Sequence, residues 1–425
     1  MPPLSIKSVI NSKRQRGGAT AERPFRHRNQ ADQNADRRRA ALDRTGLGHG
    51  RQIKVSTEAM VPERLKGKRK RVLVILGAGS TLHAKAPSTD EVNEFVCTLP
   101  NNKPLRAVVD RLKQQRSIPS PNDTVSRNFN FETVLAALED LDQFGTRKHH
   151  PTAFEQYVDD RLSAFTGYVC DFAEMRDQNF AATRAQVVGQ IKNFFIDRTA
   201  CAPPDRLREF FNSLKVAFDL TVVTLNYDDI VDRAGDWYDG FSPPTSNGEG
   251  GTFDFAGFRD RSAEDPAILL HLHGSVRFDF PRFSPAPSKD GEIVRYAGPR
   301  RGLHAQLNGP AGIPQPTPIV AGYGKDRWMT RAAVPFGYYY TAFVNAVQTC
   351  PRVLVAGYGG GDEHINSWLR EEHPRLHSER RIVQIDPCCP KQPPAADYLI
   401  LGGDEGYFPP PSDRIEQMVA FLDSL

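Results

Sequence analysis

The sequence predicts an α/β protein: a Rossmann-like parallel sheet with helices on both faces and a helical insertion after the first strand. Three observations carry that reading. Residues 72–76, VLVIL, form an unbroken apolar run that passes straight into Gly77-Ala78-Gly79-Ser80. A run without polar alternation reads as a strand buried on both faces, the habit of parallel sheets. Such runs return at 220–225 and 267–272, and each ends in polar residues, Asn226-Tyr227-Asp228-Asp229 and His273-Gly274-Ser275. Between the first run and the second, the apolar period changes from that of strands to that of helices.

Taken in order, residues 1–71 hold 19 lysines and arginines against 6 acids, leaving 36 basic and 45 acidic residues beyond. Low hydrophobicity with high net charge cannot bury enough surface to fold, so residues 1–68 are expected to be a basic, disordered tail. Runs such as Arg37-Arg38-Arg39 suit nucleic acid, and only this tail offers that contact. Met60 is an alternative start, because the folded pattern begins only near Lys70. The remainder, 69–425, reads as one domain.

A short helix is expected at 90–99. Helical stripes follow at Phe131, Val134, Leu135, Leu138 and Leu141, at Phe154, Tyr157, Val158, Leu162 and Phe165, and at Val187, Val188, Ile191, Phe194 and Phe195. They place the insertion at about 100–217, and such stripes serve packing. Residues 241–265 and 280–318 read as long Gly/Pro-rich loops. Further strands are expected at 317–321, 353–356, 382–385 and 398–401. Helices are expected at 337–348 and 365–370, with a closing helix from Ser412 that aligns Ile415, Val419 and Leu422.

The six cysteines form no CxxC pair and no Cys/His cluster of zinc spacing, which argues against a zinc ribbon or disulfide framework and for a reducing, cytoplasmic compartment. No run approaches the ~20 apolar residues that span a bilayer, so no membrane partner is expected.

Glycines directly after a buried strand let the backbone turn sharply and approach a ligand, so amides at 77–80 could face a pyrophosphate. Leu82 stands where GxGxxG has its third glycine, and a tight strand-to-helix turn explains the same residues. Asn226 and Asp228 are equally the types that cap a helix starting near Asp229. Alternation puts His271 and His273 on one strand face, leaving open which of them acts. Asp362-Glu363-His364 suggests a metal, but three adjacent residues do not readily converge on one ion; no metal is assigned.

Four segments at predicted strand ends, GAGS at 77–80, LNYDD at 225–229, HLHGS at 271–275 and GYGGGDEHI at 357–365, together resemble the sirtuin-like superfamily. More narrowly, they resemble its bacterial antiphage-defence branch, whose members hydrolyse NAD and carry no zinc module. The resemblance spans about residue 71 to the carboxyl terminus, and FNFETVLAALEDL at 129–141 resembles the start of that branch's helical insertion. It implies that Gly77, Ala78, Gly79 and Ser80 hold the pyrophosphate, that Asn226 and Asp228 lie beside the nicotinamide ribose and carboxamide, and that His273 is the catalytic histidine. It also implies that Gly357, Gly361 and Asp362, with Asp386, line the adenosine half. Lys325 matches a recurring lysine of unassigned role. NAD enters as substrate, with a homo-oligomer and a separate regulatory or sensor protein as expected partners.

The residue types suit that chemistry. Nicotinamide is a positively charged leaving group, so breaking its bond to ribose passes through an oxocarbenium-like state and needs no strong acid. An Asn amide can hold a ribose hydroxyl or water, and a neutral His can accept a proton. An NAD glycohydrolase releasing nicotinamide and ADP-ribose, or a cyclised form of it, is therefore the expected activity. A protein deacylase with an acyl-lysine oxygen as nucleophile is an alternative; missing CxxC pairs argue against it. A non-catalytic nucleotide sensor or nucleic-acid-binding module is the third reading.

Overall fold

The computed structural model describes residues 69–99, 103–115, 131–146, 180–245, 250–279, 293–301, 334–388, 397–403 and 408–425. The expected tail, the stripe at 154–165, the strand at 317–321 and Lys325 lie outside them. Everything described belongs to the unit Gly67–Leu425.

Nine strands are present among these residues: β1 Arg71–Leu76, β2 Asp219–Thr224, β3 Gly251–Thr252, β4 Ala267–His271, β5 Phe278–Asp279, β6 Val294–Arg295, β7 Arg352–Ala356, β8 Arg381–Ile385 and β9 Tyr398–Leu401. Six form one sheet in the order β4-β2-β1-β7-β8-β9, and every pairing in it is parallel. Numbered by appearance within that sheet, the order is 3-2-1-4-5-6, that of the doubly wound dinucleotide-binding fold. The chain leaves β1 toward β2 on one side and later returns to β7 on the other. That reversal opens a crevice outside the carboxyl ends of β1 and β7.

Strand β1 shows why an unbroken apolar run is needed. Val72, Val74 and Leu76 pack on one face against Phe210, Phe211 and Leu214 and against Ile415, Met418 and Leu422. Leu73 and Ile75 pack on the other against Phe336, Tyr339 and Phe343. Polar alternation would bury a hydroxyl or charge on one face or the other.

The helices are α1 Thr89–Thr98, α2 Lys103–Gln115, α3 Phe131–Thr146, α4 Phe180–Thr199, α5 Asp205–Ala217, α6 Phe336–Thr349 and α7 Ser412–Asp423, with shorter turns between. Ser88 caps α1 through a capping box with Glu91. Helices α1 to α4 share a core of their own that includes Val96, Val109, Leu135, Leu138 and Ile191 and ends on Tyr227 and Val276. The insertion thus lies between β1 and β2 as expected. Its last helix differs: α5 buries Phe210 and Phe211 against the sheet and is the crossover that feeds β2.

The stretches read as loops also hold structure. Strands β3, β6 and β5 make a small antiparallel sheet, and a short helix at Phe255–Arg261 starts where Asp254 accepts from the Gly257 amide. Each strand there is two residues long, too short to show a period. Among the described residues no helix is long and apolar enough to cross a membrane.

Candidate functional site

The loops that follow β1, β2, β4 and β7 are joined into a ring at the crevice. The β1 loop meets the β7 loop through Gly79, whose amide donates to the Gly357 carbonyl at 2.9 Å, while Gly77 donates to Ala356 at 3.0 Å. A Cβ on Gly79 would come within 2.8 Å of Gly357 Cα, and Gly357 itself has φ +59°. Glycine is needed here because two backbones touch.

Residues 77–80, expected to hold the pyrophosphate, lie at the base of this crevice and are tied to β7 and its loop. The amides of Gly77 and Gly79 point at carbonyls of β7 and its loop, and that of Ser80 returns to Gly77. The Ser80 hydroxyl also donates to Gly77, at 2.7 Å. Ala78 opens the 3-10 turn Ala78–Ala84. The segment builds the crevice floor, with the amides of Gly77, Gly79 and Ser80 hydrogen-bonded.

The β2 loop stands on this floor. Asn226 Nδ2 donates to Ser80 Oγ and to Thr81 Oγ1, each at 3.2 Å, and Asn226 is 5% exposed. Thr81 in turn donates to Asp228 Oδ2 at 3.0 Å, and Asp228 Oδ1 accepts from the Ile230 amide at 3.0 Å. Both Asp228 oxygens therefore face inward, one of them on the first turn of the helix Ile230–Arg233. Asp228, expected beside the carboxamide, is joined through Thr81 to the asparagine loop. Burial pushes its carboxyl up to about 6, with Asp229 and Asp232 adding to the rise and the bonds from Ile230 and Thr81 opposing it. Thr81, which sequence reasoning missed, joins the two. An ordinary Thr in a helical turn carried no signal.

The β4 loop brings the histidines. Strand β4 ends at His271, so alternation does not continue to His273 and the two rings part company. His271 is fully buried, with Nε2 3.3 Å from Asp232 Oδ2 and its ring against Phe278. Burial pushes Asp232 up, but His271, Arg277 and Arg295 outweigh it and hold the carboxyl at about 2. His273 lies on the turn beyond, fixed by Gly274 at φ +94°. Its Nε2 is 3.6 Å from Asp362 Oδ1, and its ring centroid is 6.4 Å from Tyr227 and 5.7 Å from His364.

Two further contacts close the ring between β2 and β4. The Val276 amide donates to the Tyr227 carbonyl at 2.8 Å, and Arg277 reaches Asp229 Oδ2. Tyr227, the residue after Asn226, meets Glu132 of α3 through its hydroxyl at 3.3 Å and packs edge-on against Phe131 and Phe195. The helical insertion thereby forms one wall.

On the β7 side, the Asp362 amide donates to the Tyr358 hydroxyl at 3.1 Å and Asn366 Nδ2 to the Gly360 carbonyl at 2.8 Å, which fasten the glycine-rich turn. A Cβ on Gly361 would meet nothing within 4 Å. The carboxylate of Asp362, a residue expected to line the adenosine half, faces His273. Asp386 follows β8, next to the Gly357 loop, whose amide donates to Ile385. Its Oδ1 accepts from the Cys388 amide at 2.8 Å, the local turn typical of Asp. Asn226, His273, Gly79, Gly357 and Asp362 thus share the crevice, and Asp386 stands at its edge.

Fold and site together define a Rossmann-like α/β protein with a crevice at the topological switch point. No family model matches the sequence, and no curated protein matches it. Among solved structures it is similar to a Sir2 homologue in complex with NAD, at 13% identity and TM-score 0.39 over 84% of this chain and 91% of that one. It is also similar to a mutant Sir2 homologue in complex with 2'-O-acetyl ADP ribose, at 13% identity and TM-score 0.39 over 84% and 93%, and to a sirtuin from work on substrate affinity, at 10% and 0.38 over 84% and 95%. Likeness of that grade adds nothing to the site, which stands on its own geometry.

Proposed function

We propose that this chain cleaves NAD at the bond between nicotinamide and ribose, as a glycohydrolase that releases nicotinamide and ADP-ribose or a cyclised form of it. One observation carries the reading: four loops from the carboxyl ends of parallel strands close around the switch-point crevice and bring Asn226 and His273 to it. Ligands of doubly wound sheets bind in that place. The ordered set of GAGS, NYD, HLHG and GYGGGDEH motifs supports NAD as the ligand.

In this reading His273 accepts the proton from water or a ribose hydroxyl, and Asp362, across the crevice, steadies the imidazolium that forms. Asn226 offers its side-chain oxygen to a ribose hydroxyl or the attacking water, its Nδ2 being held by Ser80 and Thr81. Asp228 is a positioning residue. The glycine turn at 357–361 and Asp386 flank the adenosine half. The nicotinamide ring is cationic in NAD, takes the bonding electron pair and leaves neutral, so the positive charge passes to the ribose; orientation and charge stabilisation do the work and no acid catalyst is required. Depletion of NAD on a trigger, in antiphage defence, is the role the motif set supports, with a cytoplasmic homo-oligomer and a separate regulatory or sensor protein as partners.

The deacylase alternative shares the nicotinamide-releasing step, so one experiment separates the readings. Full-length protein is incubated with NAD, with and without an acetyl-lysine peptide, and the products are resolved. Nicotinamide with ADP-ribose or its cyclic form in both arms is expected. Release only with peptide makes the chain a deacylase, and intact NAD under every condition overturns catalysis.

A further inference from the structure

We propose that His273, Asp362 and His364 form a binding site for one divalent transition-metal cation of the zinc class, and that its occupancy silences His273. The second half rests on His273 acting as the proton acceptor described above. One ligand atom from each residue lies within 4.8 Å of the other two, and the His273 Nε2 to Asp362 Oδ1 pair is already at 3.6 Å. Adjacency along the chain argued against a metal, since Asp362, Glu363 and His364 cannot all turn to one point. The structure needs only two of them, because the third ligand comes from the β4 loop.

The donor set selects the cation. Two imidazoles and one carboxylate suit zinc, cobalt or nickel; magnesium and calcium demand all-oxygen shells. Bonds of about 2.0–2.2 Å place tetrahedral donors roughly 3.3 Å apart, so the histidine–aspartate pair is nearly set and the widest pair closes by about 1.5 Å through side-chain rotation. The turns that carry the ligands are fixed by Gly274 and by the Tyr358 and Asn366 bonds. A second close histidine pair among the described residues, His373 and His377, directs each Nε2 at a backbone carbonyl, of Cys350 and Val347. A ring nitrogen that ligates a metal has no lone pair left to take a proton. Metal occupancy and NAD cleavage are therefore mutually exclusive.

The test titrates untagged, full-length protein with cobalt(II), read by visible ligand-field absorption, and with zinc, read by calorimetry and by nicotinamide release. About one equivalent should bind. His364→Ala and Asp362→Asn should each weaken binding at least tenfold, with thermal unfolding confirming that they fold and His364→Gln standing in if His364→Ala does not. Zinc should suppress nicotinamide release by the parent, a chelator should restore it, and His364→Ala should keep release while losing its sensitivity to zinc. Absence of ligand-field bands, or unchanged bands in both variants, overturns the site. Cobalt binding through these residues in a protein that never releases nicotinamide keeps the site and sinks the NAD reading with the silencing. Nicotinamide release without cobalt binding does the reverse.

Discussion

Arg277 ties the histidine loop to the asparagine loop: its Nη2 and Nε both donate to Asp229 Oδ2, at 3.1 and 3.2 Å. Asp229 is 1% exposed, and its other oxygen accepts from Arg233 Nε at 3.1 Å. Removing one partner of a buried pair is costlier than the pair is worth, because the remaining charge stays buried. Because Asp229 keeps Arg233 as a partner, Arg277→Ala should destabilise by less than the ~3–5 kcal/mol of a fully uncompensated buried charge, and Arg277→Lys by less still, since it keeps the charge but loses the fork. Urea unfolding of the three proteins checks the order. Equal stability in all three would mean that the two loops hold their places without this bond.

The histidines are expected to separate into a rate residue and a stability residue. His273→Ala and Asn226→Ala should each lower nicotinamide release by two to four orders of magnitude, the range for lost general-base help, with little change in Tm. Together they should be far from additive, as residues acting as a unit are. His271→Ala should unfold earlier, because it withdraws a partner from Asp232, which is fully buried. Steady-state rates beside thermal unfolding distinguish them, and full activity in His273→Ala would sink the mechanism.

At the floor of the crevice, Gly79→Val sets two explanations of a glycine against each other. If glycine served only to admit a ligand, the variant would fold normally and fail to bind. The 2.8 Å approach to Gly357 Cα requires a backbone shift instead, and overpacking of this kind costs about 1–3 kcal/mol. A lower Tm without any ligand is expected from calorimetry; an unchanged Tm with lost NAD binding would mean that the glycine serves only to admit the ligand.

What the sequence disclosed follows from where each signal sits. Strands buried on both faces announce themselves in a few contiguous letters, so the core β1, β2, β4, β7 and β8 could be read, as could β9 and the position of the insertion. Their polar carboxyl ends likewise pointed to Asn226 and His273. The network of Asp229, Asp232, Arg277 and Arg295 could not be read, because each charge is ordinary in its own neighbourhood and meets its partner only after the sheet assembles. Alternation misled at His273 for a physical reason: the strand ends one turn earlier. The type of Asp228 suggested a helix cap and the resemblance a place beside the carboxamide, while its bond from Thr81 could be seen only once the β1 and β2 loops had met.

Asp228 also gives a pH dependence whose sign can be worked out. Its folded pKa, pushed up to about 6 by burial, lies above the ordinary aspartate value of 3.8, so between those values the folded state binds more protons than the unfolded one. Stability contributed by this group therefore falls as pH rises through that window and stays level above it. At 1.36 kcal/mol per pH unit the full effect is on the order of 3 kcal/mol. Asp228→Asn removes the ionisation while keeping an oxygen for the Ile230 amide and an amide for Thr81, so it should match the parent near pH 4 and exceed it above pH 6. Asp232, held at about 2, opposes this trend at low pH, but it is common to both proteins and cancels in their difference. Urea unfolding of parent and variant at intervals from pH 4 to 8 measures that difference, with nicotinamide release followed alongside. A growing advantage for Asp228→Asn with release kept within tenfold is expected. A folded variant that loses release by more than a hundredfold would return Asp228 to contact with the nicotinamide carboxamide.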